Sequence, residues 1–200
     1  MSAIDVIFDF GSPNAYLAME VLPSIAARYK ATMNVIPCLL GGIFKLTNNQ
    51  PPLVAFGPVK GKLDYEMKEM RRFIDRHGLA KFKFNPHFPV NTLMVMRGQI
   101  AADAMGVGEH YRRTVLKALW EDGEKMDDPA VVARVLTAAG LDAEAILAGA
   151  GSAEVKKALA DNTQKAVDRG VFGIPTFFVG NEMFFGKDRL RDLEEELAKG

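Results

Sequence analysis

The sequence predicts an α/β protein in which a helical insertion interrupts a single sheet. A strand–helix–strand pattern opens the chain, helical periodicity runs from residue 61 to residue 169, and a strand–strand–helix pattern closes it. The first and last strands can share one sheet only if the helices between them form an insertion. We therefore expect one domain from residues 1–60 and 170–200, which holds the sheet, and a helical insertion domain from residues 61–169.

The first 40 residues form the predicted strand–helix–strand unit. Apolar residues alternate with polar ones from Ile4 to Phe10, which is the period of a strand. Ser12 stands where a helix N-cap is expected, and Pro13 takes the first helical position, where its missing N–H costs nothing. Met33–Leu40 is the second predicted strand, and the connection to it is long enough for a right-handed crossover to a parallel neighbour.

The remaining elements follow from periodicity and from turn residues. Residues 41–60 are predicted as a loop because Gly, Asn and Pro are frequent and periodic apolar positions are few. Five helices are predicted, at Leu63–Arg76, Asn91–Met105, Glu109–Trp120, Pro129–Ala139 and Ala153–Arg169. A hairpin of Thr176–Val179 and Glu182–Phe185 is expected to precede a last helix, Asp188–Ala198. We expect Trp120 to pack the insertion onto the sheet.

Composition and charge narrow the classes of function. Lys plus Arg and Asp plus Glu both number 25, so no net charge favours binding to nucleic acid or to an anionic membrane. No apolar run reaches the roughly 20 residues that span a bilayer, and no leader pattern precedes the first strand, so a cytoplasmic location is expected. Cys38 is the single cysteine, and its apolar strand predicts a buried thiol without a disulfide.

Familiar catalytic motifs do not occur in the sequence. It contains neither a phosphate-binding P-loop nor a G-x-S-x-G elbow. The three histidines, His77, His87 and His110, lack the spacing of zinc ligands, so no metal site is predicted.

Four places remain as candidates for a ligand site: the Ser12 turn, the loop to Lys60, and the segments 173–176 and 186–189. The hydroxyl of Ser12 lies at the start of a helix, where it and the helix dipole can stabilise an anion, although the turn alone favours an ordinary N-cap. A cis bond before Pro175 would turn the backbone N–H and C=O of Ile174 towards a ligand chain. Asp188, which is predicted to start the last helix, has dipole complementarity as its simplest explanation.

Three motifs together resemble a known family. They are Asp9-Phe10-Gly11-Ser12-Pro13, the segment Asn85–Asn91 and the segment Val171–Leu190. With the order of the elements, they resemble the 2-hydroxychromene-2-carboxylate isomerases, and the related kappa-class glutathione transferases, over nearly the whole chain. The resemblance implies a DsbA-like thioredoxin fold with a helical insertion, in which Ser-Pro stands where redox relatives carry Cys-x-x-Cys.

The resemblance also implies glutathione as the cofactor. Ser12 corresponds to the serine that holds the glutathione sulfur, and Ile174, before Pro175, to the residue whose backbone pairs with the cysteinyl part. The segment that grips the γ-glutamyl end corresponds to Phe185, Gly186, Lys187 and Asp188. Two further positions that line the kappa-class site correspond to Asn49 and Lys60, and the residues on the substrate side correspond to Phe44, Lys45, His87 and Asn91.

The implied reaction is the isomerisation of 2-hydroxychromene-2-carboxylate to trans-o-hydroxybenzylidenepyruvate, in the catabolism of aromatic hydrocarbons. A homodimer acting on this small aromatic carboxylate is expected. Two other functions stay open: a kappa-like glutathione transferase or peroxidase that consumes the thiol, and a glutathione-binding module without catalysis. Three residues depart from the family pattern, with Gly11 for leucine, Asn14 for an aromatic residue, and Lys187 for serine or asparagine.

Overall fold

A computed structural model describes residues 2–199, in which the strands form one four-stranded sheet. β1 (Ala3–Phe8) pairs in parallel with β2 (Thr32–Pro37) and antiparallel with β3 (Thr176–Val179), which pairs antiparallel with β4 (Glu182–Phe185). The order β2-β1-β3-β4 places β1 and β3 in the centre. The first strands and the C-terminal hairpin therefore share one sheet, as the sequence predicts.

Ten α-helices accompany this sheet within residues 2–199. They are α1 (Pro13–Arg28), α2 (Leu40–Thr47), α3 (Pro52–Phe56), α4 (Lys62–His77), α5 (Leu93–Ala104), α6 (Gly108–Lys117), α7 (Pro129–Ala138), α8 (Ala143–Ala150), α9 (Ala153–Asp168) and α10 (Leu190–Leu197). A π-helical turn, Ala118–Asp122, continues α6, and a 3-10 turn, Lys187–Arg189, precedes α10. The α1 helix makes the predicted crossover between the two parallel strands.

The prediction of a loop over residues 41–60 is wrong, because α2 and α3 form there. The glycines that suggested a loop allow α2 to approach α9 closely. A Cβ on Gly42 would lie 3.0 Å from the Cγ2 atom of Thr163. Burial of Ile43 and a hydrogen bond from the Leu40 N–H to Asp9 then hold α2 in place. Tertiary contacts thus override the low helix propensity of glycine.

Three other differences concern single elements. The second strand ends at Pro37 instead of Leu40, because Leu40 already begins α2. The first strand ends at Phe8 instead of Phe10, because Asp9 already belongs to the turn that leads into α1. The α8 helix is not predicted at all, and its N-cap, Asp142, accepts a hydrogen bond from the Ala145 N–H at 3.0 Å. A cap of this kind stabilises a short helix even where the apolar periodicity is brief.

Trp120 packs the insertion onto the sheet, as predicted. Its side chain is 1% exposed, and the indole Nε1 donates to the carbonyl oxygen of Phe10 at 2.9 Å. The rings of Phe82 and Phe88, from the loop between α4 and α5, lie 6.0 and 6.1 Å from the indole. In addition, α9 packs against β2 and α2, so the last helix before residue 170 lies against the sheet. The domain boundary at residue 170 stays a prediction.

A glycine fixes how closely α5 and α6 approach. A Cβ on Gly98 would lie 2.2 Å from the hydroxyl oxygen of Tyr111, which donates to the carbonyl of Val95 at 3.0 Å. Gly98→Ala is therefore expected to lower the free energy of unfolding by about 1–3 kcal/mol, measured by urea denaturation.

The control is Gly41→Ala in α2. This glycine is exposed, and a Cβ there would meet nothing within 4 Å. Alanine at Gly41 is expected to leave stability unchanged or to raise it by up to about 1 kcal/mol. Equal losses at the two positions would contradict the close packing at Gly98.

Candidate functional site

Ser12 joins the start of α1 to the loop before β3. It is the N-cap of α1, where its Oγ accepts a hydrogen bond from the Ala15 N–H at 3.2 Å. The same hydroxyl donates to the carbonyl oxygen of Ile174 at 3.1 Å, although 162 residues separate the two. The Ile174–Pro175 peptide bond is cis, as predicted. The structure therefore brings together two of the places that the sequence singles out, and Ser12 is an N-cap as well.

Asp9 organises the turn around Ser12. Its side chain is 1% exposed and accepts from the Gly11 N–H at 2.8 Å, the Leu40 N–H at 2.7 Å and the Thr92 hydroxyl at 2.7 Å. One carboxyl group thus connects the turn before α1, the start of α2 and the start of α5. The sequence analysis does not predict this role of Asp9. The feature that could have indicated it is an acidic residue at the end of an apolar strand, directly before an N-cap turn.

Burial raises the pKa values of two side chains near this turn, Asp9 and Cys38. Desolvation raises the pKa of Asp9 above its usual 3.8, although its three hydrogen bonds act in the opposite direction. The pKa of Cys38 is raised to about 12, first by burial and then by the charge of Asp9. Cys38 is buried, as predicted, and its thiol stays protonated at neutral pH.

The backbone beside the cis bond offers a free hydrogen-bond donor. Among residues 2–199, the N–H of Ile174 donates to no backbone or side-chain acceptor, whereas its carbonyl accepts from Ser12. The Pro175 carbonyl accepts from the Gly186 N–H at 2.9 Å, which holds the end of β4 beside the cis bond. A Cβ on Gly173 would lie 2.8 Å from the ring of Phe185, which is half-exposed. These contacts therefore form one site from Ser12, Ile174, Pro175, Phe185 and Gly186.

Lys187 and Asp188 extend this place along the 3-10 turn. Lys187 is 3% exposed, yet its ammonium contacts both carboxylate oxygens of Asp188, at 2.8 and 2.9 Å. The ring of Phe73 in α4 lies 5.3 Å from the same ammonium. The Asp188 side chain is 59% exposed, so its carboxylate still faces solvent.

A second loop contributes the predicted residues His87 and Asn91. Its Phe88–Pro89 bond is also cis, and the loop is tied to Asp9 through Thr92. His87 is exposed, while Asn91 accepts from the Leu93 N–H at 3.0 Å. A shallow cavity of about 320 Å³ lies beside Asn91 and is lined by Asn91, Leu93, Met94, Arg97 and Asp127.

The remaining predicted residues lie on α2 and on the segment that follows it. Phe44 is half-buried, whereas Lys45, Asn49 and Lys60 are exposed. In the described part of the chain, none of their side chains forms a hydrogen bond or an ion pair with the Ser12–Ile174 site. Their roles in binding stay predictions.

Residues 2–199 contain neither a candidate metal site nor a helix that could span a membrane. No three His, Cys, Asp or Glu side chains in this range are arranged so that they could ligate a metal ion. In the same range, no helix has the length and apolar character needed to cross a bilayer.

Known proteins resemble this chain over almost all of its length. A family model described as a DSBA-like thioredoxin domain matches residues 3–198. A 2-hydroxychromene-2-carboxylate isomerase from Sphingobium xenophagum is 31% identical over 206 residues, which cover 97% of this chain and 97% of the relative. The chain belongs to this isomerase family of DSBA-like thioredoxin proteins.

Other members of the wider family are similar as well. A solved structure of a 2-hydroxychromene-2-carboxylate isomerase matches with a TM-score of 0.84 at 29% identity, covering 98% of this chain and 95% of that one. Glutathione S-transferase kappa 1 from Caenorhabditis elegans is 30% identical over 215 residues, which cover 98% of this chain and 91% of the relative. The thioredoxin-like fold with a helical insertion is thereby confirmed.

Proposed function

We propose that the protein is a glutathione-dependent isomerase that converts 2-hydroxychromene-2-carboxylate to trans-o-hydroxybenzylidenepyruvate. One observation carries the proposal: the Ser12 hydroxyl and the Ile174 backbone meet at 3.1 Å in a chain of this isomerase family. Kappa-class glutathione transferases among the relatives favour glutathione as the thiol.

The site suits an extended peptide thiol. The Ile174 N–H is an open donor, and the adjacent carbonyl is an acceptor, which together match the backbone of one cysteinyl residue paired as a short strand. The ligand's sulfur would then lie next to Ser12, at the N-terminus of the 16-residue α1 helix. A partial positive charge at such a terminus stabilises a thiolate.

Binding of the peptide would change the hydrogen bond of Ser12. In the described structure its hydroxyl proton points to the Ile174 carbonyl. An incoming cysteinyl N–H takes that carbonyl as its acceptor, so the hydroxyl is free to donate to the sulfur instead. Backbone pairing and stabilisation of the thiolate are thereby coupled through one carbonyl group.

Glutathione, when bound, would contribute a thiolate nucleophile that the reaction regenerates. The chain's own residues orient the substrate beside it. Asn14 follows Ser12 by two residues, and its side-chain oxygen is buried without a hydrogen-bond partner among residues 2–199. Asn14 therefore offers an acceptor to a substrate hydroxyl. Lys45 and Asn49 remain our candidates for holding the substrate carboxylate.

The test is a product analysis with substoichiometric glutathione. If the protein is an isomerase, a tenfold excess of substrate over thiol is fully converted, and the free thiol titre is unchanged at the end. Loss of one thiol per product would identify a transferase instead. Glutathione binding without conversion of this substrate would favour the third hypothesis, a glutathione-binding module without catalysis.

A further inference from the structure

We infer that Lys187 makes the γ-glutamyl ammonium of glutathione nearly dispensable, so the site accepts thiols with or without an amino group at that end. The inference rests on the proposed thiol site. It concerns Lys187, which is 3% exposed beside the exposed carboxylate of Asp188.

The 3-10 turn, Lys187–Arg189, lies beside the backbone groups of the proposed thiol site. The Gly186 N–H donates to the Pro175 carbonyl, next to the backbone groups of Ile174 that would pair with a cysteinyl residue. Gly186 is followed directly by Lys187 and Asp188. In the proposed complex, the γ-glutamyl end that the family resemblance assigns to this segment would lie against these two charged residues.

The γ-glutamyl ammonium of the ligand would meet the charges of both Asp188 and Lys187. An isolated Asp188 carboxylate would attract the ligand's ammonium strongly, because charge-assisted hydrogen bonds of this kind are among the strong ones. Here the Lys187 ammonium already contacts both of its oxygens, at 2.8 and 2.9 Å. The pair is neutral, and a second ammonium gains attraction from Asp188 but meets repulsion from Lys187 a few ångströms away.

The Lys187 side chain cannot easily move away from Asp188. This side chain is 3% exposed, and its ammonium lies 5.3 Å from the ring of Phe73, a cation–π contact that helps to hold the side chain in place. A lysine on the surface would swing away when a ligand ammonium arrives. Lys187 is held under Asp188, so the neutral pair persists in the complex.

The experiment compares glutathione with an analogue in which hydrogen replaces the γ-glutamyl ammonium, glutaryl-cysteinyl-glycine. Calorimetric titration of the wild-type protein should give dissociation constants within about threefold of each other. In Lys187→Met, which keeps the buried volume and removes the charge, the analogue should bind about tenfold or more weakly than glutathione.

A second variant keeps the test valid if Lys187→Met does not fold. Asp188→Asn leaves the Lys187 ammonium unpaired, so glutathione should bind more weakly than the analogue. The control is Lys157→Met, which removes an exposed ion pair with Asp161 on α9 and should leave the wild-type ratio unchanged.

The outcomes separate the inference from the proposed function. If wild-type protein binds glutathione but discriminates against the analogue by tenfold or more, the role of Lys187 is rejected and the thiol site stands. If the wild-type protein binds neither thiol, the proposed function is rejected and the inference with it.

Discussion

Asp9→Ala is expected to lower the free energy of unfolding by about 2–4 kcal/mol. The substitution removes the common acceptor of three donors, the Gly11 N–H, the Leu40 N–H and the Thr92 hydroxyl. Each donor left unpaired in a buried place costs about 1–3 kcal/mol, and relief from burying a carboxylate offsets part of that sum. Urea denaturation followed by circular dichroism measures the change.

Asp5→Ala is the matched control because Asp5 is an aspartate in β1, the strand that directly precedes Asp9. The Asp5 carboxylate contacts Arg169 at 2.9 Å and Asn34 at 3.2 Å in a partly exposed place. Exposed ion pairs contribute little, so a loss below about 1 kcal/mol is expected. If Asp9→Ala costs no more than Asp5→Ala, Asp9 does not organise the turn.

The contribution of Asp9 also depends on pH. Burial raises the pKa of Asp9 above 3.8, so between that value and the folded-state pKa the native protein holds more protons than the unfolded chain. Its stabilising contribution is therefore complete below 3.8 and is lost as pH rises through the folded-state pKa. The stability of the wild type relative to Asp9→Asn should fall as the pH rises above 3.8 and through the folded-state pKa, and a constant difference would show that the pKa is not raised.

Ser12→Ala is expected to raise the pKa of bound glutathione by about one to two units. The wild-type hydroxyl donates to the thiolate once the cysteinyl N–H has taken the Ile174 carbonyl, and one hydrogen bond to an anion accounts for a shift of that size. Ultraviolet absorbance of the thiolate, followed against pH, measures the shift. The wild-type complex should titrate well below the ~8.5 of a free thiol.

The control must reproduce the other role of Ser12, which is to cap α1. Ser152 caps α9, and its Oγ accepts from the Val155 N–H at 3.2 Å, the same distance as in the Ser12 cap. Both alanine variants should lose about 0.5–2 kcal/mol of stability, but only Ser12→Ala should move the thiol pKa. An unchanged thiol titration in Ser12→Ala would leave the N-terminus of α1 as the source of thiolate stabilisation.

The elements that local sequence determines are those with a strong period or a strong cap. The alternation in β1, the Ser12-Pro13 start of α1 and the bounds of the β3–β4 hairpin follow from neighbouring residues alone. The site follows in part for the same reason, because Ser12 and Pro175 both lie in motifs that carry their own backbone preferences. The pairing of Ser12 with Ile174 required the fold, since the two are 162 residues apart.

The elements that only the tertiary structure decides are those in which a distant contact outweighs local preference. The α2 helix forms over glycines because Asp9 anchors its first turn and α9 needs a close approach at Gly42. The sequence predicts Asp9 as a polar residue of the first strand. Only the fold shows that its carboxyl group connects three segments of the chain near Ser12 by hydrogen bonds. Likewise, the sequence shows a lysine and an aspartate side by side at residues 187 and 188, but the effect of Lys187 depends on its burial and on its contacts with Asp188 and Phe73. Local preferences are short-range, whereas burial and charge pairing depend on which distant segments meet.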